Sequence, residues 1–125
     1  MPHILLIEDD ALLRDMLRDQ LEELGHIVTE ACDGNKGLAQ QEIAPADLVL
    51  TDLIMPDKEG IETIMELRKK WPDVKIIAMS GGGRMTAASY LGIARRVGAG
   101  AVLDKPFSSA DLAAAINGLL PASGR

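Results

Sequence analysis

The chain predicts an α/β fold: a doubly wound, parallel five-stranded sheet assembled as (βα) five times. Two observations carry this expectation. Short, continuous apolar runs such as Ile4–Ile7 and Leu48–Leu50 have the composition of strands covered on both faces, as in a parallel sheet. They alternate with segments of helical periodicity, and strict alternation implies parallel pairing with right-handed crossovers. A third observation concerns chemistry. Four of the five strand ends carry polar side chains: Glu8-Asp9, Asp52, Ser80 and Lys105. In an open α/β sheet the active crevice lies beyond the carboxyl ends of the strands.

Each element has its own reason. Ile4–Ile7 ends abruptly in Glu8-Asp9-Asp10, and Leu13, Met16, Leu17, Leu21 and Leu24 then recur at helical spacing until Gly25 stops the helix. The acids at its start suit the positive end of the helix dipole. Ile27–Ala31 is a second, less apolar strand, and Asp33-Gly34 makes the turn into a weak helix over about 35–43. Ala44-Pro45 ends that helix, because a residue before proline avoids helical angles. Asp47–Thr51 is the third strand. A helix over about 58–70 follows, with Ile61, Ile64 and Met65 expected inward. Val74–Met79 is the fourth strand and ends on Ser80. After Gly81-Gly82-Gly83 a helix is expected over about 85–97. It has an inward stripe of Ala87, Leu91 and Ala94, and Gly92 weakens it by about 1 kcal/mol relative to alanine. Ala101–Leu103 is the fifth strand, followed by Asp104-Lys105-Pro106. The last helix, about 109–119, has capping-box spacing at Ser108 and Asp111, with Leu112, Ala115, Ile116 and Leu119 facing in.

Composition narrows the function. The 125 residues suit one domain, read as 1–125 with a core of about 3–120 and no output domain. Acids outnumber bases 19 to 13, so direct nucleic-acid binding is not expected. No apolar run approaches the roughly 18 residues of a membrane span, and no secretory signal is evident, so a cytoplasmic location is expected. The single cysteine, Cys32, excludes an intrachain disulfide and reads as a small buried hydrophobe. His3 and His26 fall at the amino ends of strands one and two and read as ordinary surface residues, away from the polar strand ends.

In the flavodoxin-like order 2-1-3-4-5 strand two is an edge, and the four polar ends become neighbours. Three carboxylates gathered there repel one another unless one stays protonated or a divalent cation joins them. Oxygen ligands with room for water suit Mg²⁺. Lys105 and the Ser80 hydroxyl could then neutralise and hydrogen-bond a phosphoryl group, and an aspartate can itself be the nucleophile, giving an acyl phosphate. Taken singly the residues have bland alternatives: a strand-end Asp is common in α/β proteins, and Lys105 could be a solvated charge before a turn.

Leu5-Leu6-Ile7-Glu8-Asp9-Asp10, Asp47–Pro56 with Asp52 at its centre, Gly60, Ser80-Gly81 and Lys105-Pro106-Phe107 together resemble the receiver domain of bacterial two-component response regulators. The likeness covers about residues 3–120. It implies that Asp52 accepts a phosphoryl group from a phosphohistidine on a histidine kinase or histidine phosphotransfer protein. It implies that Asp9 and Asp52 ligate Mg²⁺, with Glu8 acting directly or through water, and that the backbone carbonyl of Ile54 is a further ligand. Ser80 would turn toward the phosphoryl group and Lys105 would pair with it, across a Lys105–Pro106 bond that is usually cis in the family. Such a domain is a signalling phosphoacceptor rather than a turnover enzyme, catalysing only its own phosphorylation and slow dephosphorylation. It would act as a monomer or weak dimer, switching a downstream protein through the face of the fourth helix, fifth strand and fifth helix, where Tyr90, Arg95 and Arg96 fall.

Two departures from the family pattern stand out. Val102 occupies the place of the usual aromatic switch residue, three positions before the lysine. Gly81-Gly82-Gly83-Arg84 is glycine-rich, either a tolerated flexible loop or the part that orders when Ser80 engages phosphate. A nucleotide-binding P-loop fits poorly, because no Gly-Lys-Ser/Thr follows. A phosphatase of the haloacid dehalogenase type would need a second Asp two residues after the nucleophile, and Ile54 stands there. A receiver-like module that is never phosphorylated is the remaining alternative, and the intact acid cluster, Ser80 and Lys105 argue against it.

Overall fold

The computed structural model describes residues 2–53, 60–81, 92, 96, 98–105 and 107–120. Five parallel strands form one sheet in the order β2-β1-β3-β4-β5, as the alternation predicts. In chain order the elements are β1 (His3–Ile7), α1 (Ala11–Glu23), β2 (Ile27–Ala31), α2 (Gly34–Ile43), β3 (Leu48–Asp52), α3 (Gly60–Lys70), β4 (Lys75–Gly81), β5 (Ala101–Lys105) and α4 (Ser109–Leu119). The helix expected over 85–97 lies mostly outside the described residues; Gly92 and Arg96 are helical and exposed.

The sheet separates two cores, and strand alternation assigns residues to each. On one face Leu5, Ile7, Val49, Ile76 and Ala78 pack with Ile64 and Leu67 of α3 and with Leu38 of α2. On the other, Ile4, Leu6, Leu48, Leu50, Ile77 and Met79 pack with Leu17 and Leu21 of α1 and with Leu112 and Ile116 of α4. The central strands β1 and β3 are buried almost throughout, which is why they read as continuous apolar runs.

Local chemistry sets the helix ends. Asp10 caps α1 by accepting from the Leu12 and Leu13 amides, and Asp33 caps α2 through the Lys36 amide. Gly25 closes α1 at φ +94°, in the left-handed region that favours glycine. Ser108 and Asp111 form the expected capping box of α4.

Several packing expectations differ from the structure. Met16 and Met65, expected inward, are each 53% exposed, and Leu24 is also exposed. On α1 and α3 the buried stripes are narrower than the apolar periodicity, so only Leu17 and Leu21, and Thr63, Ile64 and Leu67, are fully covered beyond the first turn. β4 and β5 run two residues further than the apolar pattern indicates, because backbone pairing continues through Ser80↔Asp104 and Gly81↔Lys105. His3 and His26 are half-buried rather than surface residues. His3 Nε2 lies 2.6 Å from Thr29 Oγ1, and burial lowers the pKa of His26. Cys32 is half-buried, with Lys36 Nζ 3.4 Å from its sulfur.

Candidate functional site

Parity along the strands builds the site. Glu8 is two residues beyond Leu6, Asp52 two beyond Leu50, and Lys105 two beyond Leu103; these three leucines all face the core beneath α1 and α4. Alternation therefore turns Glu8, Asp52 and Lys105 to one side at the carboxyl edge of the sheet. Their side chains meet there. Lys105 Nζ donates to Glu8 Oε1 at 3.0 Å and to Asp52 Oδ2 at 3.1 Å. Asp9 joins them: Glu8, Asp9 and Asp52 each offer a carboxylate oxygen, all within 4.8 Å of one another.

Burial makes this cluster consequential. Glu8 is 1% exposed and Asp52 6%, whereas Asp9 is open to solvent. A carboxylate so enclosed requires charged or hydrogen-bonding partners. Glu8 has them. Its Oε2 accepts from the Asp10 amide at 3.2 Å, and its own N–H continues the β1–β2 ladder to the Ala31 carbonyl. Burial nevertheless pushes the Glu8 carboxyl above its ordinary range; the Lys105 hydrogen bond opposes the rise and the charge of Asp52 adds to it. Burial disfavours the Lys105 ammonium, but the carboxylates of Asp52 and Glu8 outweigh it and the lysine is pushed up. Lys105 therefore stays protonated across the neutral range.

The backbone around Asp52 is held from several sides. Leu53 donates its N–H to the Met79 carbonyl, so the β3–β4 pairing extends past the acid. The Thr51 hydroxyl donates to the Asp52 carbonyl at 3.1 Å. Ser80, 4% exposed, stands on β4 one position past Met79, the register partner of Asp52. Val102 pairs with Ala78 and packs into the core on the α2–α3 side. Ile54, the Lys105–Pro106 bond and the loop 82–84 lie outside the described residues.

Two contributors were not legible as site residues in the sequence. Asp10, third of the acidic run, is engaged as the α1 cap; an Asp immediately before a helical repeat is the signal that identifies it. Arg14 donates from Nη1 to the Glu8 carbonyl at 2.7 Å, one helical turn into α1, and no motif announces it.

Three hard oxygen donors and an ammonium at a sheet edge can hold a small divalent cation and a phosphoryl group. The donor set fits Mg²⁺: it is all carboxylate, partly open on the Asp9 side, and has, among the described residues, one cation, Lys105, against three acids.

The profile of the response regulator receiver domain matches residues 4–117. The chain is 31% identical over 115 residues to the chemotaxis protein CheY of Thermotoga maritima, covering 91% of this chain and 93% of that protein. It is 33% identical to the transcriptional regulatory protein CiaR of Streptococcus pneumoniae, across 98% of this chain but 53% of that one. The chain thus spans about half the length of several regulators it matches, CpxR of Klebsiella pneumoniae among them at 50%. Among solved structures, a response regulator receiver domain protein from Clostridium thermocellum superposes with a TM-score of 0.88 at 29% identity, covering 95% of this chain and 94% of that one. CheY4 of Vibrio cholerae gives 0.87 at 26% identity, covering 96% and 99%.

Proposed function

The chain belongs to the family of response regulator receiver domains, and from that premise we propose that it is the phosphoacceptor of a two-component phosphorelay, with Asp52 as the accepting residue. The carrying observation is Lys105 Nζ bridging Glu8 and Asp52, with Asp9 completing the acid cluster. In this reading an Asp52 carboxylate oxygen attacks the phosphorus of a phosphohistidine. A P–O bond forms, the P–N bond breaks, and the electron pair leaves with the imidazole, which takes up a proton. The result is an acyl phosphate on Asp52. Lys105, held protonated, is placed to donate to the incoming phosphoryl oxygens, and the Ser80 hydroxyl is a second donor from the neighbouring strand. Glu8, Asp9, Asp52 and the Ile54 carbonyl would hold Mg²⁺. When bound, Mg²⁺ supplies charge neutralisation for the transferring group. Glu8 keeps Lys105 beside Asp52, and burial of Asp52 limits the approach of water to the acyl phosphate.

The phosphoryl donor is a histidine kinase or a histidine phosphotransfer protein, and the product state is read by a protein partner. Arg96, helical and exposed, supports a readout face near the helix expected over 85–97 and β5. The domain catalyses only its own phosphorylation and slow dephosphorylation, works in the cytoplasm as a monomer or weak dimer, and makes no direct contact with nucleic acid. No helix among the described residues is long and apolar enough to cross a membrane.

Phosphoramidate or acetyl phosphate with Mg²⁺ tests the assignment by intact mass. Uptake of a single phosphoryl group by the wild type, lost in Asp52→Asn, is the expected result. Undiminished labelling of Asp52→Asn refutes it.

A further inference from the structure

We propose that Gly60 is a positioning residue for Asp52, a role that rests on the phosphoacceptor reading. Gly60 is the first residue of α3 and is buried. A Cβ placed on it would overlap the Asp52 carbonyl oxygen, stand 2.5 Å from Leu53 Cα and lie 3.0 Å from the Asp52 carbonyl carbon. All three are backbone atoms, so no rotamer change can make room. The contrast with two other crowded glycines is informative. A Cβ at Gly37 would meet the side chain of Ile7, and one at Gly100 the side chain of Leu119, both flexible groups.

The contact at Gly60 is also bonded. Its N–H donates to the Leu53 carbonyl at 3.0 Å, while Leu53 N–H reaches the Met79 carbonyl at 2.9 Å and the Thr51 hydroxyl reaches the Asp52 carbonyl at 3.1 Å. The Asp52–Leu53 backbone is thus set by β4 on one side and the start of α3 on the other. α3 cannot retreat, because Ile64 and Leu67 are fully buried in the core. An added methyl group must move the end of β3, and with it the carboxylate that meets Lys105, Glu8 and Asp9. Misplacement on the order of 1 Å is enough to cost about 100-fold in a positioned reaction.

The test is Gly60→Ala in the full chain, with Mg²⁺ binding measured by calorimetry and phosphoryl uptake from phosphoramidate measured by mass. Ile116→Ala, a core truncation on α4 remote from Asp52, controls for lost stability. Gly60→Ala should weaken Mg²⁺ binding by about 10- to 100-fold, the range for losing support behind a metal ligand, and should slow uptake at saturating Mg²⁺. Ile116→Ala should lower the melting temperature and leave Mg²⁺ affinity unchanged. Wild-type Mg²⁺ affinity and uptake in Gly60→Ala overturn the proposal, as does an equal loss of affinity in Ile116→Ala. If Gly60→Ala does not fold, Thr51→Val decides, since it replaces the hydroxyl that holds the same carbonyl with a methyl group: weakened Mg²⁺ binding supports the proposal and unchanged binding overturns it. A wild type that binds Mg²⁺ but takes no phosphoryl group refutes the phosphoacceptor reading alone, and the Mg²⁺ comparison still decides Gly60. A wild type that does neither overturns both.

Discussion

Replacing Lys105 with methionine keeps most of the buried stem and removes the charge that bridges Glu8 and Asp52. Glu8, at 1% exposure, then has two options. It can stay ionised without its cation, which for a broken buried pair costs about 3–5 kcal/mol. Or it can take a proton. Holding a carboxyl of ordinary pKa 4.5 protonated at pH 7 costs about 3 kcal/mol, at about 1.36 kcal/mol for each of the 2.5 pH units between them. The second route lies at the low end of that range and sets the size of the loss. At pH 5 the same protonation costs about 1 kcal/mol or less. The destabilisation of Lys105→Met is therefore about 3 kcal/mol at pH 7 and shrinks to about 1 kcal/mol at pH 5. Urea unfolding of both proteins at the two pH values, without Mg²⁺, measures it. An equal loss at both pH values would refute the reasoning, because the penalty would then not reside in the Glu8 charge. A variant as stable as the wild type at pH 7 would refute it more directly.

Other expectations follow from the same geometry. Lys105 has its pKa raised in the folded chain, so the stability it contributes is fully present below its ordinary value of 10.5 and is lost as pH rises through the folded value; melting curves should show a loss above pH 10.5 that Lys105→Met lacks. Mg²⁺ should raise the melting temperature by binding only the folded cluster, adding about 2.7 kcal/mol of stability at a hundredfold excess over its Kd. Asp9→Asn should diminish that rise and, without Mg²⁺, stabilise the chain by relieving carboxylate repulsion, as paired calorimetric scans would show. Ser108→Ala breaks the capping box of α4 and should cost about 1 kcal/mol in urea unfolding while Mg²⁺ affinity stays as in the wild type.

The sheet order and the convergence of Glu8, Asp9, Asp52 and Lys105 were legible in the sequence for one physical reason. In a parallel sheet the chain direction puts every carboxyl end on one edge, so polar residues following apolar runs must collect there, and the flavodoxin-like order makes the ends of strands one, three, four and five neighbours. What the sequence concealed was how far each residue is covered. Met16 and Met65 fit the helical period yet stay exposed, because helices laid on a twisted sheet bury a narrower stripe than the pattern of apolar residues fills. The apolar pattern also stops short of the true ends of β4 and β5. Backbone pairing continues under Ser80 and Lys105, whose side chains carry no hydrophobic signal.

The acidic run after β1 shows the same limit more sharply. Glu8, Asp9 and Asp10 are chemically alike and adjacent, yet the fold gives them three different situations. Glu8 continues the ladder and inherits the facing of Leu6, so it is buried against Lys105. Asp9 stays open to solvent while still within reach of the other two carboxylates. Asp10 has left the sheet and serves the first amides of α1. Composition cannot separate them, but strand parity can: counting by twos from Leu6 selects Glu8, and counting back from the helical repeat selects Asp10. Asp9 is left between a ladder and a cap, with neither to occupy it. Asp9, which neither continues the ladder nor caps the helix, is thus exposed and still within reach of Glu8 and Asp52, where an incoming cation would meet it first.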